Sequence, residues 1–187
     1  MSDALDDELV ERVDSLGTQQ WSGACFRYTS ARRDPLSGEG ARRFGGRWNK
    51  RGLFSAIYLA DSEKGCMVEL ERAAVVASTT PQNKLRAPHK LHHISASDLS
   101  VLDLRTSDAQ LTVGLDPADL TSDDWAACQQ VGHAAWFLHI QAILVPSAGG
   151  VALVITAYEQ RIRPGQLTVL RSDDLTPATY ERLRAAS

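Results

Sequence analysis

Cysteine, aromatic residues and long apolar runs are all scarce in this chain of 187 residues, and each scarcity excludes something. The three cysteines, Cys25, Cys66 and Cys128, stand far apart with no CxxC pair. Neither a zinc knuckle nor a disulfide framework is therefore expected, and a reducing cytoplasm is the simplest setting. No apolar stretch approaches the ~18 residues that a membrane-spanning helix needs. Met1 to Asp14 is acidic and lacks a basic start followed by an apolar block, so it does not read as a secretory signal. The two common phosphate-loop patterns, GxxxxGK before Ser or Thr and GxGxxG, are missing, as is the GxSxG of serine hydrolases. Repeats and linker-like breaks in composition are missing too. The expectation is one domain over residues 1–187, with a core from about 20 to 175 and a short helix at each end.

What is present suffices for a core. The chain is 43% hydrophobic and 23% charged, which excludes a disordered or collagen-like polymer. The net charge of -3 conceals an uneven spread. Residues 27–51 hold Arg27, Arg32, Arg33, Arg42, Arg43, Arg47, Lys50 and Arg51 against Asp34 and Glu39, a local excess of +6, which leaves -9 for the rest. Arginine forks onto phosphate and carboxylate in a way that lysine does not. One basic loop in a chain of pI ≈ 5.9 is a poor footprint for direct nucleic-acid binding, however.

Periodicity predicts helices over 4–15, from the cap Ser62 to about Ala77, over 124–139 with Asp123 or Asp124 as cap, and after Thr176 with Pro177 at its first position. Strands are predicted at 24–29, 56–60, 90–95, 100–104, 142–145, 151–157 and 167–170. Residues 30–53 read as a long glycine-rich loop, 78–88 as a polar connector, and 106–123 as irregular with room for one short helix. The fold class is mixed α/β, a central mixed sheet flanked by helices.

On the helix after Ser62, the residues Cys66, Leu70, Ala73 and Val76 or Ala77 form an apolar stripe. Glu69 flanks that stripe, whereas Glu71 is rotated roughly 200° away and is expected in solvent. The plain alternative for Glu69 is a surface ion pair with Arg72, three residues on. The plain alternative for the basic loop is a solvated one. His92 and His93 alternate across a strand and cannot chelate one metal together, and His133 and His139 lack the spacing of a zinc pair. No metal is expected. Trp125 and Trp136 are expected in the core.

The run Arg27-Tyr28, Pro35-Leu36-Ser37-Gly38-Glu39-Gly40-Ala41, Gly45-Gly46-Arg47-Trp48-Asn49, Tyr58, Glu69 and Val145-Pro146-Ser147 resembles the RES domain. That domain is found in the toxins of the RES–Xre toxin–antitoxin systems. The resemblance covers about residues 24–170. The stretches 132–139 and 157–161 place it nearest the NAD phosphorylase branch. The arginine, glutamate and serine for which the family is named match Arg27 or Arg47, Glu69 and Ser147.

The resemblance implies a fold similar to ADP-ribosyltransferase toxins. It also implies degradation of NAD at the nicotinamide–ribose bond, with inorganic phosphate as co-substrate and ADP-ribose 1″-phosphate as product. NAD is a substrate there, and no cofactor is held tightly. NAD glycohydrolase and protein ADP-ribosyltransferase activities are the alternatives, and a non-catalytic binding module is a third. An Xre-type antitoxin is the implied partner, and this chain would reach nucleic acid only through it. It could place a carboxylate in the arginine pocket.

The residues fit that chemistry. Arg27 and Arg47 suit the pyrophosphate, Gly45 and Gly46 can offer backbone N–H groups, and Tyr28 and Tyr58 can seat a cationic ring. Neutral nicotinamide leaves without a general acid, so one carboxylate, Glu69, can stabilise the oxocarbenium that forms. Ordinary glycosidases need two. Ser147 can bond a ribose hydroxyl or phosphate, and Arg43 or Arg47 can hold the phosphate. Asn49 falls in the same motif, Trp48 either anchors the loop or touches adenine, and His133 either lines the pocket or sits satisfied in the core.

Overall fold

The computed structural model describes residues 5–150 and 152–186. Ala4 and Val151, where a helix and a strand are predicted to begin, lie outside the described residues. The elements run α1 (Asp7–Leu16), β1 (Gln19–Ser30), α2 (Glu39–Phe44), β2 (Ala56–Ala60), α3 (Glu63–Val76), α4 (Pro81–Lys84) and β3 (His89–Asp103). After these come α5 (Ser107–Thr112), α6 (Ala126–Phe137), β4 (Ala142–Pro146), β5 (Leu153–Tyr158), a 3₁₀ turn (Glu159–Arg161), β6 (Leu167–Asp174) and α7 (Pro177–Ala185). Asp6, Ser62, Thr80, Thr106 and Thr176 each accept a backbone N–H of the first helical turn they precede, as short polar caps do.

The strand pairings close on themselves. β1 pairs antiparallel with β3 along nearly its whole length and meets β2 at Phe26 and Ala60; β2 pairs with β5, β5 with β4, and β4 runs parallel to β3. β6 adds to the remaining edge of β3. Side chains alternate between two cores, as the two-residue period of a strand requires. Ile57, Leu59, Ala142, Leu144, Ile155 and Ala157 join a cluster built from strand residues. Ala56, Ile143, Val145 and Tyr158 face α1, α5 and α6. A third cluster, with Cys66, Met67, Leu70 and Tyr180, seats α3 and α7.

Several expectations are corrected. The loop 30–53 contains α2 and a bridge between Gly46 and Asn49. The strands expected at 90–95 and 100–104 are one strand, which passes Asp98 at φ +50° and shifts register opposite Trp21 and Gly23. β1 begins five residues before the predicted strand, and β6 continues to Asp174. At α6 the residue before the helix is Trp125, without a side-chain cap; Asp124 accepts only the N–H of Ala126 at 3.0 Å. Glu71 is not simply solvated. It accepts hydrogen bonds from Tyr180 and Arg184, both at 2.5 Å, and so ties α7 to α3. Val76 is 82% exposed rather than part of the buried stripe.

Candidate active site

Three elements converge beside the 45–49 segment. β1 carries Arg27 and Tyr28, β2 carries Tyr58, and α3 carries Glu69. Two adjoining cavities share a wall made of Tyr28, Tyr58, Glu69, Ala73 and Val154. The smaller, about 280 Å³, adds Phe26, Arg27, Leu59, Ala60 and Cys66. The larger, about 750 Å³, opens past Gly45, Gly46, Arg47 and Trp48 on one side and Pro146, Ala148 and Trp125 on others. Together they form a cleft with an apolar lining and few polar groups, the usual character of a small-molecule site.

The 45–49 segment is pinned from within. Trp48 is 1% exposed, and its N–H donates to the Tyr58 hydroxyl at 2.9 Å. That hydroxyl donates to Oδ1 of Asn49 at 2.8 Å, while the Asn49 amide donates to the carbonyl of Ala41 at 2.9 Å. Asn49 is wholly buried. Gln129 on α6 donates to the carbonyl of Gly46 at 2.9 Å. A Cβ on Gly46 would collide with the Tyr58 hydroxyl, so only glycine permits this close approach. The N–H groups of Gly45 and Gly46 donate to Ala41 and Asn49, so both are turned inward rather than toward a ligand. Burial raises the Tyr58 phenol far above its ordinary range, which keeps it a neutral donor.

The two arginines are anchored differently. Arg27 donates to the carbonyls of Pro35 at 2.5 Å and Ser37 at 3.0 Å, and burial, then Arg33, lowers its pKa. Arg47 donates to the carbonyls of Asp119 and Ser122, each at 2.9 Å, and lies over the Trp125 ring at 5.8 Å. Trp125 is therefore no core residue; it is 37% exposed at the rim of the larger cavity.

Glu69 is half-buried and forms no hydrogen bond or ion pair among the described residues, so the surface pair with Arg72 is not made. Burial raises its pKa, opposed by the charges of Arg72 and Arg47. A carboxylate held this way, on a wall common to two cavities, is placed to act on positive charge that develops in a ligand.

The remaining expected residues lie apart from the lining. Ser147 is 7% exposed, follows β4 between the lining residues Pro146 and Ala148, and its hydroxyl makes no hydrogen bond among the described residues. His133 is buried in the α6 core beside Phe54 and Trp136 and lines neither cavity. Arg43 is exposed over Phe44. Sequence reasoning missed Phe44, Lys84 and Trp125 as lining residues and took Arg72 for a pairing partner. The spacing of Arg72 from Glu69 was the one available signal. Among the described residues no cluster of His, Cys, Asp and Glu could hold a metal, and no helix is long and apolar enough to cross a membrane.

Over 185 residues, 99% of this chain and 100% of the relative, the sequence is 64% identical to the NAD(+) phosphorylase MbcT of Mycobacterium bovis. It is equally similar to the protein of that name from Mycobacterium tuberculosis H37Rv. The fold matches a chain in the crystal structure of the M. tuberculosis MbcT–MbcA toxin–antitoxin complex with a TM-score of 0.93 and 63% identity, covering 98% of this chain and 100% of that one. The RES domain pattern spans residues 18–176, which include the whole cleft, and the chain belongs to the RES-domain family.

Proposed function

We propose that this chain is the toxin of a toxin–antitoxin pair and cleaves NAD at its nicotinamide–ribose bond, with inorganic phosphate as acceptor. The observation that carries this reading is Glu69, a half-buried carboxylate on the wall between two cavities that forms no ion pair among the described residues. The whole-length similarity to NAD(+) phosphorylases supports it.

In the proposed reaction the C–N bond breaks and its electron pair stays on the ring nitrogen, so nicotinamide leaves neutral. The ribose carbon becomes oxocarbenium-like, and ionised Glu69 stabilises it. A phosphate oxygen then bonds to that carbon. Tyr28 and Tyr58 seat the ring, and Arg27 and Arg47 face the diphosphate from the smaller and larger cavities. Trp48 and Asn49 act by holding Tyr58 and the loop. Gly46 acts by allowing close approach and Gly45 by its positive φ, and Ser147, buried between the lining residues Pro146 and Ala148, supports that wall rather than touching the ligand. An enzyme that drains NAD must be silenced in its own cytoplasm, so a tightly bound antitoxin of Xre type is the proposed partner.

The test mixes purified, antitoxin-free protein with NAD, with and without inorganic phosphate, and follows nicotinamide and sugar products. Phosphate-dependent loss of NAD with formation of ADP-ribose 1″-phosphate is expected. Loss that ignores phosphate would point to a glycohydrolase, label left on a polypeptide to an ADP-ribosyltransferase. No loss from folded protein would end the enzymatic reading.

A further inference from the structure

Three cations line the larger cavity: Arg47, Arg72 and Lys84. Arg47 is tied to two backbone carbonyls. Arg72 on α3 and Lys84 at the end of α4 are each half-buried, and neither side chain makes a hydrogen bond or ion pair among the described residues. The carboxylates on the same lining are Glu69 and Asp123, and Asp123 is exposed at the rim. Two partly desolvated cations facing one cavity, neither in an ion pair among the described residues, favour an anion between them.

Position decides which anion. Arg72 lies one helical turn from Glu69, and its charge acts on Glu69 more strongly than that of Arg47. A phosphate nucleophile must approach the same ribose carbon that Glu69 stabilises, so two anions would meet at one centre. Their repulsion must be offset by a cation beside Glu69. Resting on the function proposed above, we infer that Arg72 and Lys84 form the seat of the attacking inorganic phosphate. Arg72 holds the phosphate next to Glu69, and Lys84 holds its outer oxygens. The phosphate oxygen supplies the electron pair of the new C–O bond as the C–N pair departs with neutral nicotinamide, and no proton transfer is required.

Initial rates over a matrix of NAD and phosphate concentrations test this in the full chain. Arg72→Gln is expected to raise KM for phosphate roughly tenfold to hundredfold, the loss of one or two charge-assisted hydrogen bonds. KM for NAD should change less than about twofold on the same reasoning. Arg72→Lys should recover part of the loss, and Lys84→Gln, on a short surface helix, should show a smaller effect in the same direction. Calorimetric titration of inorganic phosphate into wild type and Arg72→Gln reads the seat without turnover. If wild type binds phosphate through Arg72 yet leaves NAD intact, the seat stands and the proposed reaction fails. A rise in KM for NAD instead of phosphate would assign these cations to the diphosphate and overturn the inference. So would an unchanged phosphate KM in both glutamine variants.

Discussion

At the scale of single residues, the site concentrates cost in one carboxylate. The burial that raises the pKa of Glu69 means that the folded state holds its proton more tightly than the unfolded chain does. Stability from the protonated form is complete below the ordinary glutamate value of 4.5 and is lost as pH rises through the higher folded value. At about pH 7 the ionised side chain is therefore a net burden on folding. Glu69→Gln should melt at a higher temperature than the parent at neutral pH, with the gap closing toward about pH 4. The same variant should lose about 100-fold to 1,000-fold in nicotinamide release. The parent's activity should fall on the acid side at a pH above 4.5. Melting curves across this range check the first point; a variant less stable than the parent at neutral pH would refute the cost assigned to burial.

At the scale of elements, α6 must lie almost against the backbone of Trp48. A Cβ on Gly132 would overlap the carbonyl carbon and oxygen of Trp48, and a backbone group cannot rotate aside as a side chain can. Replacing glycine by alanine inside a helix gains about 1 kcal/mol in propensity. Overpacking against rigid neighbours costs about 1–3 kcal/mol and rises with the overlap. The clash wins, so Gly132→Ala should lower the melting temperature by a few degrees and disturb turnover through the loop. A rise in melting temperature would show that propensity dominates. The elements that the sequence made legible are those with strong local signals: β2 as a short apolar run, α3 and α7 through Ser62, Thr176 and Pro177. The rest depended on distant partners. β3 reads as two strands because Ser97 and Asp98 interrupt its pattern, yet β1 and β6 pair with it on both sides of that interruption. α2 is six residues long and lies among glycines, and the carbonyl of its Ala41 accepts from Asn49 at 2.9 Å.

Across the whole molecule, the cleft joins segments far apart in the chain, and this limited what the sequence could show of it. Glu69 was legible because the facing of its helix could be read, and Tyr28 and Tyr58 through the family resemblance. The inward use of the Gly45 and Gly46 N–H groups was not, because it depends on the tight turn that brings them onto Ala41 and Asn49, nor was the place of Trp125, which depends on Arg47 reaching across the fold. Arg47 is the clearest such link: its guanidinium connects the 45–49 segment to carbonyls 72 and 75 positions later. Arg47→Ala removes both bonds and the contact with Trp125, leaving the Asp119 carbonyl only the Cys128 thiol at 3.5 Å. Amide exchange should then quicken over residues 116–125 while the β1–β3 ladder keeps its protection, because local opening follows local contacts. Arg47→Lys keeps the charge but not the planar fork, and should restore the protection only in part. Unchanged exchange over 116–125 in Arg47→Ala would mean that this wall of the larger cavity stands without the arginine.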